Sequence, residues 1–363
     1  MKFLFVVDEI DTLSSGIVSS TLSLANELSI NGNKVTIVSG ADRFNKRQVN
    51  ENLTIIAFRC LNIYGFRIWL GFLLWFWSQR LRFQFISIES MWLPANFIIL
   101  TITRFFNLNL VIMMTPHGML TESSLSKSYK KKQAMLAIYK VLHKQISMIR
   151  VVSKSEVDLV SKFLPNMAVF LIPNAQPELT TDVDVTIDRK HMFIYLGRIN
   201  PIKRLEVLVD AYVEDIVNAH GPLHIYGPAT DNKEYGETLK IRNKFAKYLG
   251  PIFGNEKIEL LKNSNVLVLA SLDEGMPMVL LEAMQCGCNI LITQKLYFEL
   301  FYSSGTAHKF IHTFDGSVED LQDKLRVLGE KKYFHRRAAI DFVEQCFSTK
   351  KTAKDIADLF HAN

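Results

Sequence analysis

An α/β chain of two Rossmann-like halves is the architecture this sequence predicts, and three observations predict it. Apolar runs of strand length alternate with stretches of helical periodicity, which is the mark of a parallel sheet covered by helices. Near the middle of the chain the polarity rises and prolines appear, and then the same alternation begins again. At 363 residues and 48% hydrophobic composition, the chain can bury two cores of ordinary size.

The elements follow in order. KFLFVVDEI reads as a strand, 18–28 as a helix and KVTIVSG as a second strand, with later strands in FQFISI and NLVIMMT. After RVVSKSEVDLVSKFL, the proline-bearing stretch VFLIPNAQPELTTDVDVTIDR reads as a crossing between domains. The second series has a strand in HMFIYLGRI, a helix over 204–217, a strand in PLHIYG, a short helix over 258–262, a strand in NVLVLAS, a helix over 277–286 and a strand in CNILIT. The expected domains are 1–172 and 173–345, with a final helix in 346–363 returning to pack on the first domain. No short-period repeat or low-complexity tract interrupts this reading.

Four scattered cysteines, Cys60, Cys286, Cys288 and Cys346, do not make a disulfide framework, so a reducing compartment and a cytoplasmic location are expected. The opening KFLFVV runs at once into acidic residues, unlike a secretory signal. The net charge of +6 is modest, but basic residues bunch in KSYKKKQ and KYFHRR. Each cluster reads either as a solvated helix face or as attraction to anionic lipid. The apolar stretches IWLGFLLWFW and FIILTI fall short of the roughly 18 to 20 residues of a spanning helix. The first, with Arg67, Arg80 and Arg82 at its ends, suits either an interfacial helix or a buried one.

Open parallel sheets bind ligands beyond the carboxyl ends of their strands, in the cleft where two such domains face each other, so the chemistry belongs in loops just after strands. Gly16 precedes the first helix, where backbone N–H groups and a glycine admit a phosphate; taken alone, a glycine there is more often a simple turn residue. No G-x-G-x-x-G follows the strand, which argues against a dinucleotide oxidoreductase. In YLGRINPIKRLEV, Gly197 turns the chain, and Arg198 and Lys203 flank Pro201. A guanidinium and an ammonium beside a strand end suit a diphosphate. In NVLVLASLDEGMPMVLLEAMQCG, Pro277 fits a first helical turn and Gly287 a helix end. Glu274 then lies in the loop, and Glu282 about 7 to 8 Å further along the helix axis. Two carboxylates so placed can hold hydroxyl groups on either side of an anion, which is the layout of a nucleotide sugar. The plainer alternatives are a dipole-favouring acid and a solvated helix face. D-V-D at 182–184 has the spacing of a metal-binding pair but sits in the polar crossing, and the C-G-C at 286–288 has no further ligand cluster beside it; no metal is expected.

From Gly197, Arg198 and Lys203 through Glu274-Gly275 to Glu282-Ala283-Met284 and Gly287, the chain resembles the donor site of family-four retaining glycosyltransferases of the GT-B fold. TPHGML (115–120) and VVSKSE (151–156) resemble the matching segments of members that build bacterial surface polysaccharides such as lipopolysaccharide, O-antigen and capsule. The resemblance spans nearly the whole chain. It implies a metal-independent hexosyltransferase with no cofactor, using a UDP- or GDP-linked sugar and a glycan or lipid-linked glycan acceptor. It further implies that Arg198 and Lys203 bind the diphosphate, Glu274 the sugar hydroxyls and Glu282 the ribose, with His117 near the donor sugar. Gly16, Gly197, Gly275, Met276 and Pro277 complete the donor-binding set, Gly16 departing from the two adjacent glycines common in such sequences. YLGPIFGN (248–255) is the candidate base-side loop. The partners expected are therefore the donor, the acceptor and, through the basic and aromatic stretches, the inner face of an anionic cell membrane, with no nucleic acid. Two other readings stay open: a non-catalytic nucleotide- or glycan-binding protein, and a nucleotide-sugar epimerase or hydrolase that consumes donor without acceptor.

Overall fold

The first strand shows how the sequence builds its sheet. Along β1 (Lys2–Glu9), Phe3, Phe5 and Val7 enter one core and Leu4 and Val6 the other, so both faces of the sheet are buried, as a helix-covered parallel sheet requires. In the computed structural model, which describes residues 1–10, 16–126, 128–179, 182–229, 233–296, 305–331 and 334–361, the chain divides into two compact units. One comprises 1–177 with 348–363, and the other 178–347.

In the first unit β1 is followed by β2 (Lys34–Ala41), β3 (Asn45–Asn50), β4 (Leu53–Ile63), β5 (Phe66–Trp69), β6 (Phe85–Ile88), β7 (Val111–Met114), β8 (Met148–Val151) and β9 (Val169–Leu171). The order across the sheet is β3-β4-β2-β1-β6-β7-β8-β9, with β5 on β4. All pairs are parallel except β3–β4 and β4–β5, an antiparallel edge. One core gathers Val38, Phe58, Trp69, Phe72, Phe76 and Ile99. The other lies under the helix Gly16–Ile30 and the last helix, Thr349–His361. That last helix buries Ala353, Ile356 and Phe360 at helical spacing, and the Phe360 ring lies 5.5 Å from Phe3 and 4.6 Å from Phe85. Thr349 Oγ1 donates to the Gln176 carbonyl at 3.0 Å.

The second unit carries β10 (His191–Leu196), β11 (Leu223–Tyr226), β12 (Ala246–Gly250), β13 (Ser264–Leu269), β14 (Asn289–Thr293) and β15 (Ile311–Phe314). They form an all-parallel sheet in the order β12-β11-β10-β13-β14-β15. Strand order reverses between β1 and β6 in the first sheet and between β10 and β13 in the second, and such reversals open a crevice at the strand carboxyl ends.

Several elements differ from the sequence reading. The helix expected over 204–217 is two, Leu205–Ala211 and Glu214–His220. Tyr212 leaves the helical region (ψ 88°), and Val213 is extended as the N-cap of a new first turn bearing Glu214 and Asp215. The stretch IWLGFLLWFW does not form one helix: β5 ends at Trp69, left-handed Gly71 turns the chain, and the helix is Phe72–Gln79. The helix expected over 258–262 starts earlier and runs Gly254–Lys262. Lys154–Phe163, read as the approach to the crossing, is a full helix of the first unit. Lys127 of KSYKKKQ and the Lys332–Tyr333 pair of KYFHRR lie outside the described residues. Among the described residues, no helix is long and apolar enough to cross a membrane.

Candidate functional site

The loops after β10 and β13, at the reversal of the second sheet, hold most of the expected residues. Gly197 follows β10, its N–H donating to the Tyr226 carbonyl at 3.0 Å, while Ile199 N–H reaches the Pro228 carbonyl at 2.9 Å. This zips the loop after β10 to that after β11 so closely that a Cβ on Gly227 (φ 150°) would lie 1.8 Å from the Gly197 oxygen. Only glycine fits there. Tyr195, fully buried in β10, donates to the Arg198 carbonyl at 2.9 Å and leaves the Arg198 side chain exposed. Burial raises the Tyr195 phenol well above its usual range, and the nearby negative charge of Glu274 adds to the effect.

A single turn of 3-10 helix, Pro201–Lys203, starts after Asn200 and ends at left-handed Arg204. It carries Lys203 to the next loop, because Leu272 N–H bonds the Ile202 carbonyl at 2.9 Å. Lys203 Nζ and Glu274 Oε1 form an ion pair, with side chains 12% and 13% exposed. Ser271 Oγ donates to the same carboxylate oxygen at 2.9 Å, and the Ser271 carbonyl is held by Thr293 Oγ1 at 2.9 Å. Glu274 is therefore fixed from two sides before any ligand arrives.

The chain continues through Gly275 and Met276 into the helix Met278–Gln285. Pro277, expected in the first helical turn, is instead the N-cap (ψ 112°). Lacking an N–H, it cannot donate a hydrogen bond to a ligand; it sets the entry of the helix. No side chain caps this end; Leu280 N–H bonds the Pro277 carbonyl at 3.0 Å, which leaves the N–H groups of Met278 and Val279 without an intrahelical partner. At the other end Gly287 N–H reaches the Met284 carbonyl and Cys288 N–H the Ala283 carbonyl, both at 2.8 Å, with Gly287 at φ 76°, a Schellman closure. Glu282 is paired at 2.7 Å with Lys257 of the helix Gly254–Lys262, which follows the YLGPIFGN loop. Lys257 escaped the sequence reading, although it lies just beyond that loop.

His117 belongs to a separate constellation in the first unit. Thr115 and Pro116 follow β7, and His117 (φ 50°) and Gly118 (φ 76°) are successive left-handed residues. His117 Nε2 is 2.8 Å from Glu89 Oε2, with side chains 2% and 0% exposed. Ser87 Oγ donates to the other Glu89 oxygen, and buried Arg150 approaches at 3.7 Å. Burial opposes ionisation of Glu89, but the hydrogen bond from His117 and the charges of His117 and Arg150 outweigh it and hold the carboxyl at about 2. Arg150 also donates to the Ile172 and Pro173 carbonyls at 3.0 and 2.7 Å. Glu156 accepts from Gly118 N–H and, at 2.8 Å, from Val152 N–H, tying the loops after β7 and β8 together. His117 Nδ1 is buried with no hydrogen-bond partner among the described residues. Glu89 stands directly after its strand, so the rule that placed His117 was the signal available for it; Arg150, inside β8, had none.

Gly16 opens the helix Gly16–Ile30, and the loop before it, 11–15, lies outside the described residues. Asp184 is exposed and accepts from Thr186 N–H and Oγ1 at 2.8 and 2.6 Å. Cys286 and Cys288 are buried, and burial raises both thiols, Cys288 to about 11. Arg189 binds the Cys286 carbonyl at 2.8 Å, so this pair sits in the packing of the sheet base. Among the described residues no cluster of three or more His, Cys, Asp or Glu has metal-site geometry.

Comparison with known proteins bears on the fold. Residues 14–175 match the family described as Glycosyltransferase Family 4, and residues 190–344 the family described as Glycosyl transferases group 1. No curated protein matches the sequence. Among solved structures, sucrose-phosphate synthase from Thermosynechococcus elongatus is similar at 14% identity and a TM-score of 0.76, over 100% of this chain and 98% of that one. Anabaena HepE in complex with UDP and glucose is similar at 13% identity and a TM-score of 0.70, over 100% of both chains. The lipopolysaccharide outer core galactosyltransferase WaaB, solved in its apo form, is similar at 17% identity and a TM-score of 0.65, over 100% of this chain and 99% of that one. At these identities the likeness establishes the fold.

Proposed function

We propose that this chain, a glycosyltransferase of the GT-B fold, moves a hexose from a nucleoside diphosphate sugar to a lipid-linked or growing surface glycan with retention at the anomeric carbon. The observation that carries the reading is the convergence of Arg198, the Lys203–Glu274 ion pair and an uncapped helix start at the reversal point of the second sheet. Arg198 and Lys203 bind the diphosphate, and the open N–H groups at Met278–Gln285 face its charge. Glu274 turns from Lys203 to the sugar hydroxyls as the anion takes over the lysine. Glu282, with Lys257 beside it, holds the ribose, and the 248–255 loop supplies the base contact. His117, its ring held through Nε2 by Glu89, and Gly16 belong to the first unit and keep the donor-side roles that the resemblance gives them.

In the transfer step the bond from the anomeric carbon to the diphosphate oxygen breaks as the acceptor oxygen attacks from the same face. The acceptor proton passes to the departing phosphate oxygen. Two side-chain cations, Arg198 and Lys203, offset the growing charge, the role otherwise given to a divalent ion, and electrostatic stabilisation of this kind is the largest catalytic term in many enzymes.

HepE was solved with UDP and glucose, and WaaB is a lipopolysaccharide galactosyltransferase; both support a sugar nucleotide as donor and a glycan as acceptor. A lipid-linked acceptor and peripheral contact with an anionic membrane suit the exposed Leu73, Leu74, Trp77, Phe105 and Phe106 of the first unit. The KSYKKKQ cluster contributes less than its charge suggests. Lys131 binds the Gly65 carbonyl and stacks 4.0 Å from the Phe66 ring, and Lys132 binds the Ser124 carbonyl.

The test is release of nucleoside diphosphate from UDP- and GDP-hexoses, with and without a glycolipid fraction. Release that requires the glycolipid, with label in the lipid product, supports transfer. Equal release without it would assign the chain to the hydrolase or epimerase reading.

A further inference from the structure

On the first unit a groove of about 680 Å³ lies at the amino-terminal ends of β1 and β2, away from the strand ends that carry the proposed chemistry. Its floor is the sheet itself. Lys2 stands beside Lys34, Thr36 beside Thr54, and Lys46 opposite Ile56 in register. The helix Phe72–Gln79 buries Phe72 and Phe76 against the far half of this sheet face but is too short to cover the near half. There the sequence places threonine and lysine where a covered sheet would carry valine. Trp75, Phe83 and Phe44 form the walls. The Trp75 ring packs at 6.0 Å on Phe83 and 5.5 Å on Phe58, and Phe44 packs at 5.9 Å on Phe58.

The lining holds Lys2, Lys34, Lys46 and Arg82 and no carboxylate. Among the described residues none of these four cations forms an ion pair. Like charges gathered in a concave site raise the local concentration of an anion, and the volume suits a small ligand or headgroup. The helix that roofs the groove turns Leu73, Leu74 and Trp77 outward, and Leu81 just beyond it is 78% exposed. A soluble anion would use the cations and leave this rim in water; a membrane engages both.

We infer that the groove seats the phosphate headgroup of an anionic phospholipid while Leu74, Trp77 and Leu81 enter the acyl boundary, so that the first unit is held on the membrane by a headgroup site. This rests on the membrane contact proposed above. It names the residues that make it, and they are not those of the KSYKKKQ cluster.

The experiment is flotation of the full chain with vesicles of phosphatidylcholine alone or mixed with phosphatidylglycerol. It compares wild type, a groove variant (Lys34→Gln, Lys46→Gln, Arg82→Gln) and a rim variant (Leu74→Ser, Leu81→Ser), each checked for an unchanged melting temperature. All five positions are exposed, which favours intact folding. The expected result is binding of wild type only when phosphatidylglycerol is present, reduced at least tenfold in the groove variant, in line with loss of three surface cations. Groove and wild-type proteins floating alike while the rim variant is released would overturn the headgroup site and leave membrane contact standing. Wild type floating with neither vesicle would remove both. A melting shift with glycerol phosphate, lost in the groove variant, without vesicle binding would reassign the groove to a free phosphate ester and overturn the lipid.

Discussion

Replacing Glu89 by glutamine removes a carboxylate that faces both His117 and Arg150, at 2.8 and 3.7 Å, in a fully buried setting. Its depression from 4.5 to about 2 corresponds to ~3 kcal/mol, at about 1.4 kcal/mol for each factor of ten in proton affinity. That agrees with the roughly 3 to 5 kcal/mol lost when a buried pair is broken from one side. Because the folded value lies below the unfolded one, the stabilisation is fully present above about pH 4.5 and is lost as the pH falls towards about 2. Thermal unfolding of wild type and Glu89→Gln across that range reads both parts. At about pH 7 the variant should melt about 6 to 12 °C lower, given about 2 to 4 °C per kcal/mol for a unit of this size, and its acid limb should be flatter. A variant that melts with wild type at neutral pH, or keeps the full acid loss, would mean that the Glu89 carboxylate is not stabilised by His117 and Arg150.

Three further outcomes follow from the geometry of the second unit. Arg198→Ala should lower transfer by roughly 100- to 1,000-fold with little change in melting temperature, since its side chain is exposed; steady-state release of nucleoside diphosphate measures it. A double-mutant cycle of Lys203→Met and Glu274→Gln should show coupling of about 1 to 2 kcal/mol in unfolding without ligand, and coupling near zero would mean the pair is not formed. Gly227→Ala should cost about 3 kcal/mol or more, because its Cβ meets the Gly197 carbonyl at 1.8 Å. Gly250→Ala, also at positive φ but with nothing within 4 Å, should cost only about 1 to 2 kcal/mol.

What the sequence disclosed and what it concealed divide along physical lines. HMFIYLG and NVLVLAS announced β10 and β13 because strands buried on both faces are continuous apolar runs, and glycine and proline marked the turns after them. The edge strand Asn45–Asn50, reading NKRQVN and mostly exposed, has no apolar signature, so the antiparallel edge was invisible. Gly197, Arg198, Lys203 and Glu274 could be named because loops after strands are where an α/β sheet places its ligands, and Glu282 because it lies in the helix that leaves the second of those loops. Their partners could not. Lys257 meets Glu282 across 25 residues and Glu89 meets His117 across 28, through strand order and helix packing that no local pattern encodes. Pro277 was placed one position too far into its helix because the first helical position is where proline is enriched, and only its extended ψ shows that it is the N-cap.

The proposed function requires the loops after β10 and β13 to bind a nucleoside diphosphate through Arg198. The most direct measurement is the melting temperature of wild type and Arg198→Ala with UDP, GDP, ADP and dTDP in turn. At about 100 times its dissociation constant a bound nucleotide adds about 2.7 kcal/mol. One of the four should raise the melting temperature of wild type and fail to raise that of Arg198→Ala. No shift with any of them, or an equal shift in both proteins, would contradict it.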